Sequence, residues 1–146
     1  AGAALFARGE GVWWGDDELY FTATSGGPLR RGQIMRLTPG LDGDVDQLEL
    51  FVESEDLKTL NMGDNITVAP WGHLIVCEDN YSDDVKNHLK GVTPEGKLYT
   101  LARNVFPGNS EFAGACFSPD ATTLFVNIMY PGITLAITGP WNEVRS

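Results

Sequence analysis

The apolar residues of this 146-residue chain fall into short alternating runs that are separated by turns rich in Gly, Pro and Asp. Residues 33–39 (QIMRLTP) and 48–54 (LELFVES) show the period of two that is typical of a half-buried strand. No window keeps an apolar period of 3.6 residues for three turns, so we expect no long helix. The pattern therefore predicts an all-β chain of many short strands.

The predicted strands group into three units, and the unit openings at Glu10, Asp64 and Glu111 lie about 50 residues apart. Repeats of this length, each with four short antiparallel strands, are typical of β-propeller blades. We expect one domain, residues 1–146, with blades at roughly 10–60, 64–105 and 111–141. The third unit has three strands, so the chain is expected to be the C-terminal half of a six-bladed ring, or to close a ring with another copy. The strands are predicted at 12–14, 19–24, 33–39, 48–54, 66–69, 74–77, 88–94, 98–104, 111–117, 123–129 and 133–138.

The stretch from Asp64 to Asp79 (DNITVAPWGHLIVCED) reads as a hairpin with a turn at residues 70–72, Pro-Trp-Gly. The open end of an antiparallel hairpin brings the start of one strand to the end of the other. Asp64, Asn65, Glu78 and Asp79 are therefore expected close together. Such crowded carboxylates repel each other unless a cation or hydrogen-bond donors offset their charge.

Acids at the unit openings indicate a cation site. The first strand of each propeller blade lines the central channel, so Glu10, Asp64 and Glu111 should converge, with Asn65 and Glu78 adding oxygens. Oxygen ligands suit Ca²⁺, and Fe³⁺ or Mn²⁺ are alternatives. The competing interpretation is that each acid caps a turn or faces solvent.

A single arginine precedes the first of these acids. Arg8 lies two residues before Glu10, on the same side of an extended segment. Its guanidinium suits an anionic oxygen ligand such as phosphate, or it pairs with one of the acids.

The composition of the chain argues against some classes of binding partner. A formal net charge of −10 argues against nucleic acid and anionic membranes. The apolar runs are too short for a membrane span, and the first residues do not read as a signal peptide. Cys77 and Cys116 lie in apolar strands outside any CxxC pair, so we expect buried free thiols. The acids at 42–46 resemble an EF-hand loop, but Gln47 stands where that loop needs Gly, which favours an acidic hairpin tip.

Five segments, in order along the chain, stand out together: FARGEG, MGDNITVAPWGHLIVCEDN, LKGVTPEGKLYTLARN, EFAGACFSPDATTLFVNI and YPGITLAITGPW. They resemble the PhoX family of bacterial alkaline phosphatases. The resemblance implies a six-bladed propeller that is exported to the periplasm or secreted and hydrolyses phosphomonoesters with iron and calcium in its channel. It also implies that Arg8 contacts phosphate, and that the metal ligands or their neighbours are Glu10, Asp64, Asn65, Glu78 and Glu111.

The chain departs from the family pattern in ways that predict an incomplete site. The family's cysteine ligand to iron lies in its N-terminal half, and neither Cys77 nor Cys116 can replace it. Tyr130 stands where His or another polar residue is expected before Pro-Gly. We therefore expect no phosphatase activity from this chain alone, which needs the N-terminal half or another copy. The alternative is a calcium-binding propeller fragment, or a diverged homologue, without turnover.

Overall fold

The computed structural model describes residues 2–82, 85–141 and 143–144, and this part of the chain contains strands and no helix. Each of the eleven strands overlaps a predicted run, and the first and fifth strands both begin three residues before the predicted start. The polar loop that joins the second and third strands of the middle sheet includes residues 83 and 84, which lie outside the described residues. The strands are β1 (Gly9–Trp14), β2 (Leu19–Ala23), β3 (Gln33–Thr38), β4 (Gln47–Glu53), β5 (Gly63–Val68), β6 (Leu74–Glu78), β7 (His88–Val92), β8 (Leu98–Arg103), β9 (Phe112–Phe117), β10 (Thr123–Ile128) and β11 (Ile133–Thr138).

The strands form three antiparallel sheets in chain order: β1–β4, β5–β8 and the three-stranded β9–β11. The chain is therefore all-β and has the blades of a partial β-propeller, as predicted. The hairpin at β5 and β6 turns at residues 70–72, where Gly72 N donates to Ala69 O at 2.8 Å. Gly63 pairs with Glu78, and the open end of this hairpin brings the Asp64 and Asp79 carboxylates close together.

The middle sheet packs on both neighbours, because alternate residues of its strands face opposite sides. On β6, Leu74 and Val76 belong to a core shared with the first sheet, whereas Ile75 and Cys77 belong to a core shared with the third. Trp141, beyond β11, completes the second core. These two cores fix the sheets relative to one another.

The first strands of the sheets lie side by side. A Cβ atom on Gly11 of β1 would lie 2.3 Å from Asp64 O, so glycine is what permits this close approach of β1 and β5. Two threonines of the first blade, one on β2 and one directly after it, reinforce the contact. Thr22 Oγ1 donates to Asp64 O at 2.8 Å, and Thr24 Oγ1 donates to Gly63 O at 3.0 Å. The backbone of Asp64 is thus held from the neighbouring blade.

The first strand of the first blade is less covered than the first strand of the middle blade. Val12, Trp13 and Trp14 on β1 are exposed, whereas most of β5 is buried. No helix in the described residues has the length and apolar character that a membrane span requires.

Both cysteines are free thiols. Cys77 is buried as expected, but the expectation was wrong for Cys116, because its neighbour Ala115 faces the core and Cys116 points the other way.

Candidate metal centre

A cleft of about 470 Å³ opens where the first strands of the three sheets begin. All three blades contribute to its wall. Most of the residues that line it are polar or charged: Arg8, Glu10, Asp64, Asp79, Tyr81, Asn109, Ser110, Glu111, Met129 and Tyr130.

Three carboxylates meet inside the cleft. Asp64 lies on β5, Asp79 directly follows β6, and Glu111 directly precedes β9. One oxygen from each lies within 4.8 Å of the others, and Asp64 and Asp79 are 9 % and 2 % exposed. Oxygens grouped this closely at one point are the donor set that a hard cation such as Ca²⁺ prefers. The residues present therefore fit a cation.

The carboxylates perturb one another strongly. Burial, together with the charges of Glu10 and Asp79, raises the pKa of Asp64 to about 6. Burial and the hydrogen bond and charge of Asp79 raise the pKa of Glu111 to about 8. Burial also opposes ionisation of Asp79, but hydrogen bonds from Glu111, Tyr81 and Arg8 outweigh it and lower the pKa of Asp79. Without a cation, Glu111 keeps a proton near neutral pH and shares it with an ionised Asp79.

Arg8 supplies the positive charge of the cleft. Its Nη2 donates to Asp79 Oδ2 at 2.7 Å and to the Tyr81 hydroxyl at 2.8 Å, and its Nε donates to Glu10 Oε1 at 3.0 Å. The Tyr81 hydroxyl in turn donates to Asp79 Oδ2 at 2.6 Å. The hydrogen bond to Asp79 raises the pKa of Arg8 further, so it stays a cation. Its φ of 58° is a left-handed conformation that is uncommon for a residue other than glycine and concentrated at functional sites.

The structure brings four of the six sequence-predicted site residues to the cleft: Arg8, Glu10, Asp64 and Glu111. Asn65 lies beside them but has another partner. Its Oδ1 accepts a hydrogen bond from Gly114 N at 2.7 Å, and its Nδ2 lies 3.4 Å from Asp64 Oδ1. Asn65 therefore connects β5 to β9 across the blade boundary and lines a neighbouring depression.

Glu78 is placed away from the cleft, within the second blade. Its side chain is fully buried, and Oε1 accepts from Asn61 N at 2.9 Å. Oε2 accepts from His88 N and lies 2.9 Å from His88 Nδ1. Burial raises the pKa of Glu78, and the hydrogen bond with His88 and the charge of Lys90 oppose this rise. These donors occupy both oxygens of Glu78. Adjacent residues of a strand point to opposite faces, so Glu78 points away from the cleft while Asp79 points toward it.

Asp79 and Tyr81 are the residues that sequence reasoning missed as site residues. The sequence did place Asp79 at the open end of the hairpin, and strand alternation from Glu78 was the signal that could have separated the two acids. No local pattern marks Tyr81, because its contacts are with Arg8 and Asp79 in space.

The sequence profile of the family described as "Alkaline phosphatase PhoX" matches residues 1–132. The chain belongs to the PhoX family. No match was found among curated protein sequences.

Two solved structures resemble the fold of this PhoX-family chain. Pseudomonas fluorescens PhoX, solved in complex with vanadate as a transition state analogue, superimposes with a TM-score of 0.71 at 23% identity. That match covers 87% of this chain and 30% of the Pseudomonas chain. XC5397 from Xanthomonas campestris, a gluconolactonase, superimposes with a TM-score of 0.64 at 15% identity, covering 93% of this chain and 39% of the other. The chain thus spans less than half the length of either structure, and these likenesses concern the fold.

Proposed function

We propose that this chain supplies part of the active site of a metal-dependent phosphatase that hydrolyses phosphate monoesters. The observation that carries the proposal is the convergence of Asp64, Asp79 and Glu111 on one point beside Arg8. Membership of the PhoX family and the fold shared with a vanadate-bound PhoX support it.

The three carboxylates would hold the cation, and Glu10 adds a fourth carboxylate at the edge of the cleft. Calcium suits this set because all of its donors are oxygens. We propose that iron, which the family resemblance implies, draws further ligands from outside this chain. When bound, such cations polarise phosphoryl oxygens and activate or position the attacking oxygen.

Arg8 would bind the phosphoryl group. A guanidinium presents paired N–H donors that match phosphate oxygens, and it offsets negative charge that develops during transfer. Arg8 is held by Asp79, Tyr81 and Glu10, so its donors are already oriented along the wall of the cleft. A phosphomonoester is accordingly the proposed substrate, and the periplasm or the extracellular space is the proposed location.

The chain alone is not expected to turn over substrate. It covers 30% of the Pseudomonas PhoX chain, and the exposed β1 residues Val12, Trp13 and Trp14 leave room for further blades or another copy beside the first sheet. Calcium binding without turnover is therefore the second candidate function of the isolated chain, and the all-oxygen donor set favours it.

Calorimetry on the purified chain tests both parts of the proposal. Calcium should bind to the wild type, and inorganic phosphate should bind to the calcium-loaded form. Asp64→Asn should lose both, whereas Arg8→Gln should lose phosphate and keep calcium affinity within a few fold. Asp42→Asn, in the exposed acidic turn before β4, is the matched control and should lose neither.

Calcium binding that is indifferent to Asp64→Asn would refute the metal centre. Phosphate binding that is indifferent to Arg8→Gln would refute the role of Arg8. Metal-dependent turnover of p-nitrophenyl phosphate by the chain alone would show that its site is complete, contrary to our expectation.

A further inference from the structure

A network of asparagine side chains lies behind the cleft, in the loops that carry its walls. Asn80, Asn87 and Asn104 are almost fully buried, and Asn109 lines the cleft itself. Asn87 is the centre of this network. It is 0 % exposed and directly precedes β7.

The Asn87 amide bonds two separate segments. Its Oδ1 accepts from Asn80 N at 2.7 Å, and its Nδ2 donates to Asn80 O at 3.2 Å. The same Nδ2 donates to Ser110 O at 3.2 Å. One side chain therefore fixes both backbone polar groups of Asn80 and the carbonyl of Ser110.

Both segments lead directly to the carboxylate cluster. Asn80 stands between Asp79 and Tyr81, and Ser110 immediately precedes Glu111. Asp79 comes from the second blade and Glu111 from the start of the third. Asn87 bonds to the residues next to both and does not line the cleft.

Other bonds connect Ser110 to the rim of the cleft at Met129 and Tyr130. Tyr130 N donates to Ser110 Oγ at 2.8 Å, and Met129 N donates to Glu111 O at 3.2 Å. Asn104 Nδ2 also donates to Ser110 O, at 2.8 Å. A shift of Ser110 would therefore disturb the backbone of Met129 and Tyr130, which Asn87 does not touch.

We propose that Asn87 is a positioning residue of the metal centre: its amide sets the separation of the Asp79 and Glu111 carboxylates from behind the cleft. The inference rests on the proposed function, because only a cation that both carboxylates bind requires a fixed distance between them. Groups that orient metal ligands in this way typically affect metal affinity by about 10- to 100-fold when they are replaced.

Asn87→Asp is the sharpest test because it preserves size and one acceptor. The carboxylate can still accept from Asn80 N, but it cannot donate to Asn80 O or Ser110 O and faces both carbonyl oxygens instead. Gln33→Glu is the matched control. It removes an amide that donates to Glu53 Oε2 at 2.6 Å in the first blade, away from the cleft.

Two measurements are made on the purified chain after circular dichroism shows that each variant is folded. By calorimetry, Asn87→Asp should bind calcium at least tenfold more weakly than the wild type. Gln33→Glu should bind calcium within twofold of the wild-type affinity. Amide hydrogen exchange, measured in the presence of a chelator, should be faster at Met129 and Tyr130 in Asn87→Asp than in the wild type. Gln33→Glu should exchange at these positions as the wild type does.

The two measurements separate this inference from the proposed function. If the wild type does not bind calcium, the proposed metal centre fails, and hydrogen exchange still decides whether Asn87 holds the rim. Unchanged exchange at Met129 and Tyr130, or unchanged calcium affinity in Asn87→Asp when the wild type binds, overturns the positioning role.

If Asn87→Asp does not fold, the same two measurements are made on the uncharged variant Asn87→Ser. Failure of both variants to fold also overturns the inference, because Asn87 would then serve the fold as a whole.

Discussion

Replacing Glu111 by Gln should stabilise the chain at alkaline pH when no cation is present. Glu111 binds its proton more tightly in the folded chain, because its pKa is raised to about 8 from an ordinary 4.5. The stability that this protonated group contributes is fully present below about pH 4.5 and is lost as the pH rises through about 8. Glutamine keeps the shape of the side chain and cannot ionise, so the Glu111→Gln variant should keep this stability at high pH.

The raised pKa sets the size of the effect. At about 1.4 kcal/mol per pKa unit, the shift corresponds to a ceiling of about 5 kcal/mol in the free energy of unfolding. Glu111 is only partly buried, and solvent screening reduces that figure to an expected 1–3 kcal/mol, as an order-of-magnitude estimate. For a chain of this size, a gain of about 1 kcal/mol raises the melting temperature by about 2–4 °C.

Thermal melts in a chelating buffer at pH 4 and pH 9 measure this effect. Glu111→Gln should match the wild type at pH 4 and melt several degrees higher at pH 9. Saturating calcium at pH 9 should reverse the order, because the wild type keeps its third carboxylate ligand. A cation present at about 100 times its dissociation constant stabilises a folded protein by about 2.7 kcal/mol.

Glu55→Gln is the control, since Glu55 is exposed in the loop after β4 and does not line the cleft. Equal melting temperatures for Glu111→Gln and Glu55→Gln in chelator at both pH values would show that the three carboxylates do not repel one another as the structure indicates.

Two further predictions concern packing and proton release. Gly11→Ala should lower the melting temperature by about 2–12 °C, because overpacking costs about 1–3 kcal/mol and the new Cβ would contact the β5 backbone. Gly9→Ala on the same strand has open space and should change little; equal effects of both would contradict the close approach of β1 and β5. Calcium affinity, measured by calorimetry, should rise between about pH 6 and pH 8, because Asp64 and Glu111 must lose protons to bind it. A flat affinity over that range would show that these acids do not hold the ion.

The strands and their grouping were predictable from the sequence because they depend on local patterns. Alternation and turn residues located all eleven strands, and the matching runs at 33–39 and 88–94 showed that the units repeat. The position of Asp64 followed from the same reasoning, since the first strand of each blade begins at one end of the channel. The use of these acids as metal ligands stays a prediction.

The choice between Glu78 and Asp79 could not be made from composition. Glu78 ends β6 and Asp79 follows it, so the two acids point to opposite faces of the sheet. The face that meets the cleft is set by the packing of the second blade against the third, which composition does not give. The roles of Tyr81 and Asn87 escaped prediction for a different reason, since each depends on hydrogen bonds between loops that no local pattern encodes.

The cleft draws its charged residues from all three blades, with Arg8 and Glu10 from the first, Asp64 and Asp79 from the second and Glu111 from the third. In chains built from repeats, cooperative unfolding depends on the interfaces between neighbouring units. A cation in this cleft would bond across the boundary between the second and third blades, whereas the bare carboxylates repel across it once Glu111 has lost its proton, above about pH 8. At alkaline pH the sharpness of the unfolding transition should therefore depend on calcium, with the third blade separating first when the ion is removed.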